Sequence, residues 1–413
     1  MERNVPKLRF KGFNDEWKKE VISSICKLSS GSTPSKARKE YFNGTHLWVT
    51  SGELKNKYIY NTIDKITDKA IKNTNLKEYE IGSFIIAIYG LEAQGTRGSS
   101  AILGRKATIS QACMAIEPVK DIYSEFLYYW YAKYGDMIGI RYAQGTKQQN
   151  LSTDLVGNLK IIFPSLKEQE RITNFLTKVD KIIEKQEEKV KNLENYKKGM
   201  MQKIFSQEIR FKDENGEEYP DWEEKKLGEL DIKLTRGPFG SDLKKEDMVQ
   251  KNTDTYKVYE QKHAINKNCK LGTYYINREK YLKLKRFEVK VGDFIMSCSG
   301  TIGEIYKIPD DAEKGIINQA LLKIEVQKSI NENYFLYCFR ENLNKLEVKG
   351  SGIKNITSVK FLKEEFTLQV PFIEEQKKIS DFLSNIDNII LNENNKLEEL
   401  KQWKKGLLQQ MFI

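Results

Sequence analysis

Residues 164–205 read PSLKEQERITNFLTKVDKIIEKQEEKVKNLENYKKGMMQKIF, and residues 371–412 read PFIEEQKKISDFLSNIDNIILNENNKLEELKQWKKGLLQQMF. The two stretches align without a gap. Pro164/Pro371, Glu168/Glu375, Gln169/Gln376, Phe175/Phe382, Asp180/Asp387, Gly199/Gly406, Gln202/Gln409 and Phe205/Phe412 fall in step. Register held over such a length marks a chain made of two copies of one unit. Apolar residues return at alternating steps of four and three, the spacing of a coiled-coil helix. The first seam runs Ile172, Leu176, Val179, Ile183, Gln186, Val190, Leu193, Lys197, Met200, Ile204; the second runs Ile379, Leu383, Ile386, Ile390, Glu393, Leu397, Leu400, Lys404, Leu407, Met411. The polar breaks Gln186/Glu393 and Lys197/Lys404 match between copies, as expected of residues that fix register at some cost in stability.

Phe175, Ile182 and Tyr196, with their counterparts Phe382, Ile389 and Trp403, widen the apolar stripe beyond one seam. Phe175, Tyr196, Phe382 and Trp403 are therefore candidates for packing on a further helix, either within the chain or on a partner. At about 1.5 Å per residue each helix is roughly 60 Å long. Equal length without an insertion or deletion favours a spacer over a simple hairpin. The sequence predicts an α+β chain with a pseudo-twofold internal repeat, its two globular domains joined by two long antiparallel coiled-coil helices. The expected division is a first domain at 1–163, a central helix at 164–208, a second domain at 209–370 and a C-terminal helix at 371–413.

The 413 residues carry a formal charge of +11, and residues 1–160 hold 24 basic against 16 acidic side chains. A basic balance favours a polyanionic partner, because cations that neutralise phosphates release condensed counterions. Five scattered cysteines without a CxxC pair argue against a disulfide framework or a thiolate zinc site. The N-terminus MERNVPKLRFKGF lacks an apolar signal core, and no apolar run approaches the roughly 18 residues that span a bilayer. A soluble protein of the reducing cytoplasm is expected.

The repeat continues outside the helices. Arg9-Phe10-Lys11 with Trp17 matches Arg210-Phe211-Lys212 with Trp222, so the N-terminal segment reads as the continuation of a C-terminal helix. Ile81–Ile86 parallels Val291–Met296, each a turn followed by a short apolar strand, and Ile109-Ser110-Gln111-Ala112 parallels Ile317-Asn318-Gln319-Ala320. Gly145-Thr146 with Asn150-Leu151-Ser152 parallels Gly350-Ser351 with Asn355-Ile356-Thr357. Between these markers the copies diverge, with GSTPSKARKEYFNGTHLWVTSGEL in one and GPFGSDLKKEDMVQ in the other. One scaffold presenting two sets of loops is how binding specificity is commonly varied.

Enzymatic chemistry finds little support. No two prolines are adjacent, so the Pro-Pro-Tyr motif of amino-methyltransferases is missing, and no GxxxxGK[ST] phosphate loop occurs. The two histidines, His46 and His263, lie in different copies, which disfavours a repeated triad or a His-rich metal site.

Taken together, the duplicated Pro-x-x-x-Glu-Gln openings, Tyr196-Lys-Lys-Gly and Trp403-Lys-Lys-Gly, GPFGSDLK at 237–244, GDFI at 292–295 and the Ser/Asn-Gln-Ala pairs resemble the specificity subunit of a type I restriction–modification system. The resemblance covers essentially the whole chain. It implies a non-catalytic DNA-reading protein with two target-recognition domains, each reading half of an interrupted, asymmetric sequence in double-stranded DNA. It also implies two methylation subunits and restriction subunits as partners, with S-adenosylmethionine, ATP and Mg used by those partners and no cofactor in this chain. A specificity subunit of a fused restriction–methylation enzyme shares this plan, and a coiled-coil scaffold that binds no DNA is the alternative of another class. From residue type and loop position, the candidate DNA contacts are Lys36, Arg38, Arg97, Arg141, Lys147, Gln148 and Gln149 in the first domain. Those of the second are Arg236, Lys244, Lys245, Lys262, Ser299, Thr301 and Lys354. Arg can fork onto guanine and Gln onto adenine, whereas Lys more often holds phosphate.

Overall fold

Each Pro-x-x-x-Glu-Gln opening starts a long helix, Leu166–Phe205 in the first copy and Ile373–Met411 in the second. The computed structural model that shows this describes residues 4–91, 95–143, 149–327, 329–348 and 358–413. The chain divides into two compact units, one of residues 1–188 with 394–413 and the other of residues 189–393. Each unit thus takes part of both long helices.

In the first unit, strand Cys26–Ser30 opens a sheet that continues through Cys113–Pro118, Phe84–Ala87, Ser100–Leu103 and Tyr58–Ile59. A second sheet orders Lys65–Ile66, Phe42–Val49, Ala107–Ile109 and Glu78–Tyr79, with Phe42–Val49 parallel to Ala107–Ile109. The second unit repeats the plan. Ile232–Arg236, Leu321–Val326, Phe294–Ser297 and Ile305–Lys307 form one sheet. Tyr275–Asn277, Thr255–Tyr259, Gly315–Ile317 and Glu288–Val289 form the other, again with one parallel pair. Even the register agrees: Phe84 pairs with Ile116, and Phe294 with Ile324. The apolar strands read from the sequence are these central ones, buried along their whole length. The turns before them place Gly82 and Gly292 at φ +89°, a left-handed conformation that costs glycine little.

The openings owe their sequence to buried polar groups. In the first unit Gln169 is buried; its Nε2 donates to the carbonyls of Pro164 and Asp121, both at 2.8 Å, and its Oε1 accepts from the Tyr123 amide at 3.0 Å. Tyr123 caps helix Ser124–Tyr142, so one amide ties together the starts of two helices. In the second unit Gln376 donates to the Pro371 carbonyl at 2.8 Å and accepts from the amide of Asn331, just before helix Glu332–Val348, at 2.9 Å. The preceding glutamates are buried as well. Glu168 takes a two-pronged bond from Arg9 at 2.7 and 2.8 Å, and Glu375 takes one from Arg210 at 3.3 and 2.8 Å plus the Trp222 indole N–H at 2.9 Å. The Arg-Phe-Lys echo therefore exists to bring a guanidinium back to the helix start. The Leu8 amide donates to the Gln410 carbonyl at 2.9 Å, just as the Ile209 amide donates to Lys203 at 3.2 Å, so the N-terminal segment does continue the C-terminal helix.

Ion pairs fix the helix direction inside each unit. In the first unit Lys404 meets Asp180 at 2.7 Å and Lys401 meets Glu187 at 3.0 Å; one number falls as the other rises, so the helices run antiparallel. In the second unit Lys197 meets Asp387 at 2.5 Å and Lys189 meets Glu393 at 3.0 Å, with the same sense. The polar breaks Lys197, Lys404 and Glu393 are thus paired charges. Tyr129 and Tyr337 donate to the same aspartates, at 2.5 and 2.6 Å, and so fasten the neighbouring helix of each unit to the seam. No helix of the described residues is long and apolar enough to cross a membrane.

Removing the carboxylate of Glu375 strands a buried indole N–H and takes the buried ion pair from Arg210, which keeps its bonds to the Tyr219 and Pro220 carbonyls, and breaking a buried pair from one side costs about 3–5 kcal/mol. Glu375→Ala is expected to lower the unfolding free energy by about 3 kcal/mol in a denaturant titration, the arginine's partial exposure holding the loss to the lower end. A change below about 1 kcal/mol contradicts this account of the motif.

Candidate nucleic-acid interface

The divergent loops leave the same strand ends in both units. Gly31 donates its amide to Cys113 O at 3.1 Å, and Gly237 donates to Leu321 O at 3.0 Å. A Cβ at Gly31 would sit 2.1 Å from Ile109 O, and one at Gly237 would sit 1.9 Å from Asn318 O. Only glycine permits that approach, so GSTPSK and GPFGSD spring from one fixed point despite their different sequences. The Ser/Asn-Gln-Ala turn is the surface against which this glycine rests.

In the first unit Lys36 and Arg38 are exposed on the loop after Gly31. Arg38 donates to the Tyr41 hydroxyl at 2.7 Å and lies 5.5 Å over its ring, which orders the side chain without burying it. Arg141 is exposed in the last turn of Ser124–Tyr142, 5.4 Å over the Tyr142 ring. Arg97 differs. A Cβ at Gly139 would meet its Cγ at 2.4 Å, so its stem lies on the bare helix backbone there. Its guanidinium donates to Gln149 Oε1 at 3.3 Å and stands 3.9 Å from Asp136, and its buried Nε has no partner among the described residues. The structure brings Arg97 and Gln149 together as a half-buried pair that pins residues 95–100 to the helix. Lys147 and Gln148 lie outside the described residues.

In the second unit Lys244, Lys245, Ser299 and Thr301 are exposed. Ser299 and Thr301 belong to a tight loop closed by the buried Ser297 hydroxyl, which donates to Thr301 O at 2.6 Å and accepts from the Glu304 amide at 3.0 Å. Gly300 and Gly303 turn that loop with φ +63° and +91°. Arg236 ends strand Ile232–Arg236 half-buried, its Nη1 out of solvent. It faces Cys298, whose thiol burial pushes up to about 11 while the arginine draws it down. Lys262 is engaged by Glu260 at 2.6 Å and by the Tyr274 ring at 5.4 Å. Lys354 lies outside the described residues.

The aromatic candidates on the long helices divide in the same way. Phe175 packs against Phe10 with ring centroids 5.6 Å apart and Trp403 at 6.4 Å, and Phe382 packs against Phe211 at 5.7 Å. These two serve internal packing. Trp403 and Tyr196 stay 46 % and 52 % exposed.

Sequence reasoning missed Lys57, which donates to Thr177 at 2.7 Å and Tyr129 at 3.0 Å beside Asp180, its pKa lowered mainly by burial. It has no counterpart signal in the repeat, since Arg340 reaches the vicinity of Asp387 from a different element. Among the described residues no group of three or more His, Cys, Asp and Glu side chains could hold a metal ion.

The type I restriction modification DNA specificity domain matches this chain twice, over residues 14–195 and 219–402. The chain is 26 % identical to the type I restriction enzyme MjaIX specificity subunit of Methanocaldococcus jannaschii, across 96 % of this chain and 93 % of that protein. It is 23 % identical to the MjaVIII specificity subunit of the same organism, across 98 % and 94 %. Its fold is that of the type I restriction–modification S subunit from M. genitalium, with TM-score 0.54 and 16 % identity over 99 % of both chains. A chain from a structure of type I R-M complex assembly gives 0.58 and 16 % over 96 % and 97 %. The protein belongs to the type I restriction–modification specificity subunit family and carries the DNA specificity domain in duplicate.

Beside Lys262, buried His263 sets Nδ1 2.8 Å from the Glu260 amide nitrogen and 2.9 Å from the Glu260 carbonyl, and Nε2 2.6 Å from Leu271 O. Burial lowers its pKa, so the unfolded chain binds a proton that the folded chain refuses. The stability this group contributes is present above its ordinary value, roughly pH 6.5, and is lost as pH falls below it. His263→Gln is expected to flatten the unfolding free energy measured from about pH 7 down to about pH 5.5 relative to the parent. An unchanged slope contradicts the neutral ring.

Proposed function

We propose that this chain reads a bipartite, asymmetric DNA sequence, one half with each unit, and holds methylation and restriction subunits on that site. The observation that carries this reading is one scaffold used twice, with unlike loops bearing exposed Lys36 and Arg38 in one copy and Lys244 and Lys245 in the other leaving the same glycine-fixed strand ends. Lys36, Arg38 and Arg141 in the first unit, and Lys244, Lys245, Ser299 and Thr301 in the second, are the accessible contacts. Lysines there hold phosphate, and arginines reach base edges. Arg97, Gln149, Arg236 and Lys262 shape loops and act on DNA only if their present partners are exchanged. Lys147, Gln148 and Lys354 complete the candidate set.

The chain supplies position and no catalysis in this reading. An adenine inside a duplex is out of reach, so a methylation subunit flips it out and methylates N6 while this chain keeps register. S-adenosylmethionine, ATP and Mg belong to the partners, and the complex works in the cytoplasm.

Two methylation subunits are supported by a duplicated surface. Ile182 and Trp403 lie at one level of the antiparallel helices of the first unit, bracketed by the Asp180–Lys404 and Glu187–Lys401 pairs. Ile389 and Tyr196 lie at the same level in the second unit, beside Asp387–Lys197. All four stay exposed, at 48 and 46 % in the first unit and 48 and 52 % in the second. Apolar residues kept at matching exposed positions in both copies fit a partner helix better than a solvated face.

Two measurements test these points. Co-expression with the methylation subunit, followed by single-molecule mapping of modified adenines, is expected to give one interrupted motif methylated once per strand and absent without this chain. A complex that forms without producing a motif contradicts the reading function. In the same preparation, Ile182→Glu with Trp403→Glu is expected to remove one methylation subunit per complex by native mass spectrometry. Full occupancy rejects the docking surface.

A further inference from the structure

Phe239 is the most exposed aromatic side chain among the described residues, at 76 %. It stands on a mount that leaves the backbone little freedom. Gly237 is wedged against the Asn318 carbonyl, Pro238 is buried, the Asp242 amide closes a turn onto Phe239 O at 2.9 Å, and Leu243 plugs the core directly afterwards. The corresponding loop of the first unit carries Thr33 at this place, and its hydroxyl accepts from the Gln111 amide at 3.4 Å. One unit thus fills the position with a polar group already bonded to its own fold, and the other with a ring held out in water. The half-buried Arg236, beside Cys298, precedes the turn, and the exposed Lys244 and Lys245 follow it. A ring presented rigidly between cations suits a polyanion whose interior is apolar and flat.

We propose that Phe239 is a specificity-determining contact of the second unit, its ring placed against the bases of the DNA half-site that this unit reads. The proposal rests on the DNA-reading function above. Two kinds of apolar contact are open to such a ring, the thymine methyl in the major groove and the face of an unstacked base. Because the turn is already ordered, little conformational freedom is lost on binding. The contact is uncharged, so it adds sequence discrimination without adding to the salt dependence set by phosphate-binding cations.

The test uses the complex assembled with its methylation subunits and duplexes bearing the motif mapped for the parent protein. Phe239→Ala is expected to weaken binding to the full motif about ten-fold in fluorescence anisotropy. Discrimination should fall in one half-site only, and the slope of log K against log salt should stay unchanged. Phe239→Trp should restore most of the affinity. Replacing thymine by uracil in that half-site should weaken the parent and leave Phe239→Ala unaffected if the methyl is the contact. Brightening of 2-aminopurine there with the parent alone marks the stacked alternative. Unchanged affinity and motif for Phe239→Ala, with the parent motif intact, overturns the proposal and leaves the reading function standing. So does a lowered melting temperature or failed assembly, which would make the ring structural. If the parent complex yields no bipartite motif, the reading function and this proposal fall together.

Discussion

The structure depends on a buried Glu-Gln pair at the start of each long helix. A buried carboxylate is tolerated only with a charged partner, and a buried amide only when its donors and acceptor are occupied. Glu168 and Glu375 therefore require an arginine, and Arg9 and Arg210 arrive from a segment that crosses beside the helix start. Gln169 and Gln376 require backbone groups from the preceding strand and from the start of a second helix. Each pair consequently fixes the angle at which the globular part of its unit meets its long helix. Drift at any one partner would leave a polar group unpaired, which explains why these residues agree between copies whose loops have diverged.

A second constraint acts along the helices. An apolar seam alone is compatible with several registers, because shifting by a heptad restores the same surface. Lys404 and Lys197 remove that degeneracy, since each must end beside an aspartate. The tyrosines that bond to those aspartates extend the constraint from the seam to the helices Ser124–Tyr142 and Glu332–Val348. Register and packing in each unit are thereby set by the same two side chains. The units then support the aspartate differently, with Lys57 beside Asp180 and Arg340 near Asp387, so the charge is preserved while its source is not.

Much of this architecture could be read from the sequence because its signals are periodic or repeated. The seam, its polar breaks, the returning Arg-Phe-Lys and the two buried central strands each appear twice. What escaped was tertiary. Arg97 and Arg236 carry the right group for guanine, yet the first lies on Gly139 and the second faces Cys298. Residue type specifies what a side chain could bond, and only the fold decides what it does bond. The shared origin of the divergent loops was also hidden, since Gly31 and Gly237 reveal it through a backbone approach that leaves no pattern beyond the glycine itself. Phe239 stood in plain sight within GPFGSDLK, but an aromatic residue in a loop predicts burial as readily as exposure.

This arrangement separates reading from positioning. The groups that set geometry are buried, charged or amide-bearing, and mutually dependent; substitution there carries a penalty that loop changes elsewhere cannot offset. The exposed cations Lys36, Arg38, Lys244 and Lys245 sit beyond Gly31 and Gly237, where the sheet strands end. Length and chemistry can change there without disturbing any partner of Glu168, Gln169, Asp180 or their counterparts. A loop anchored at one glycine still needs local order if it is to discriminate bases, because a mobile side chain loses freedom on binding and gives back part of the contact energy. The Ser297-closed loop, the Arg38–Tyr41 pair and the turn beneath Phe239 each provide that order within a few residues. Specificity can therefore change in small, self-contained pieces, and the second unit need not follow when the first one does.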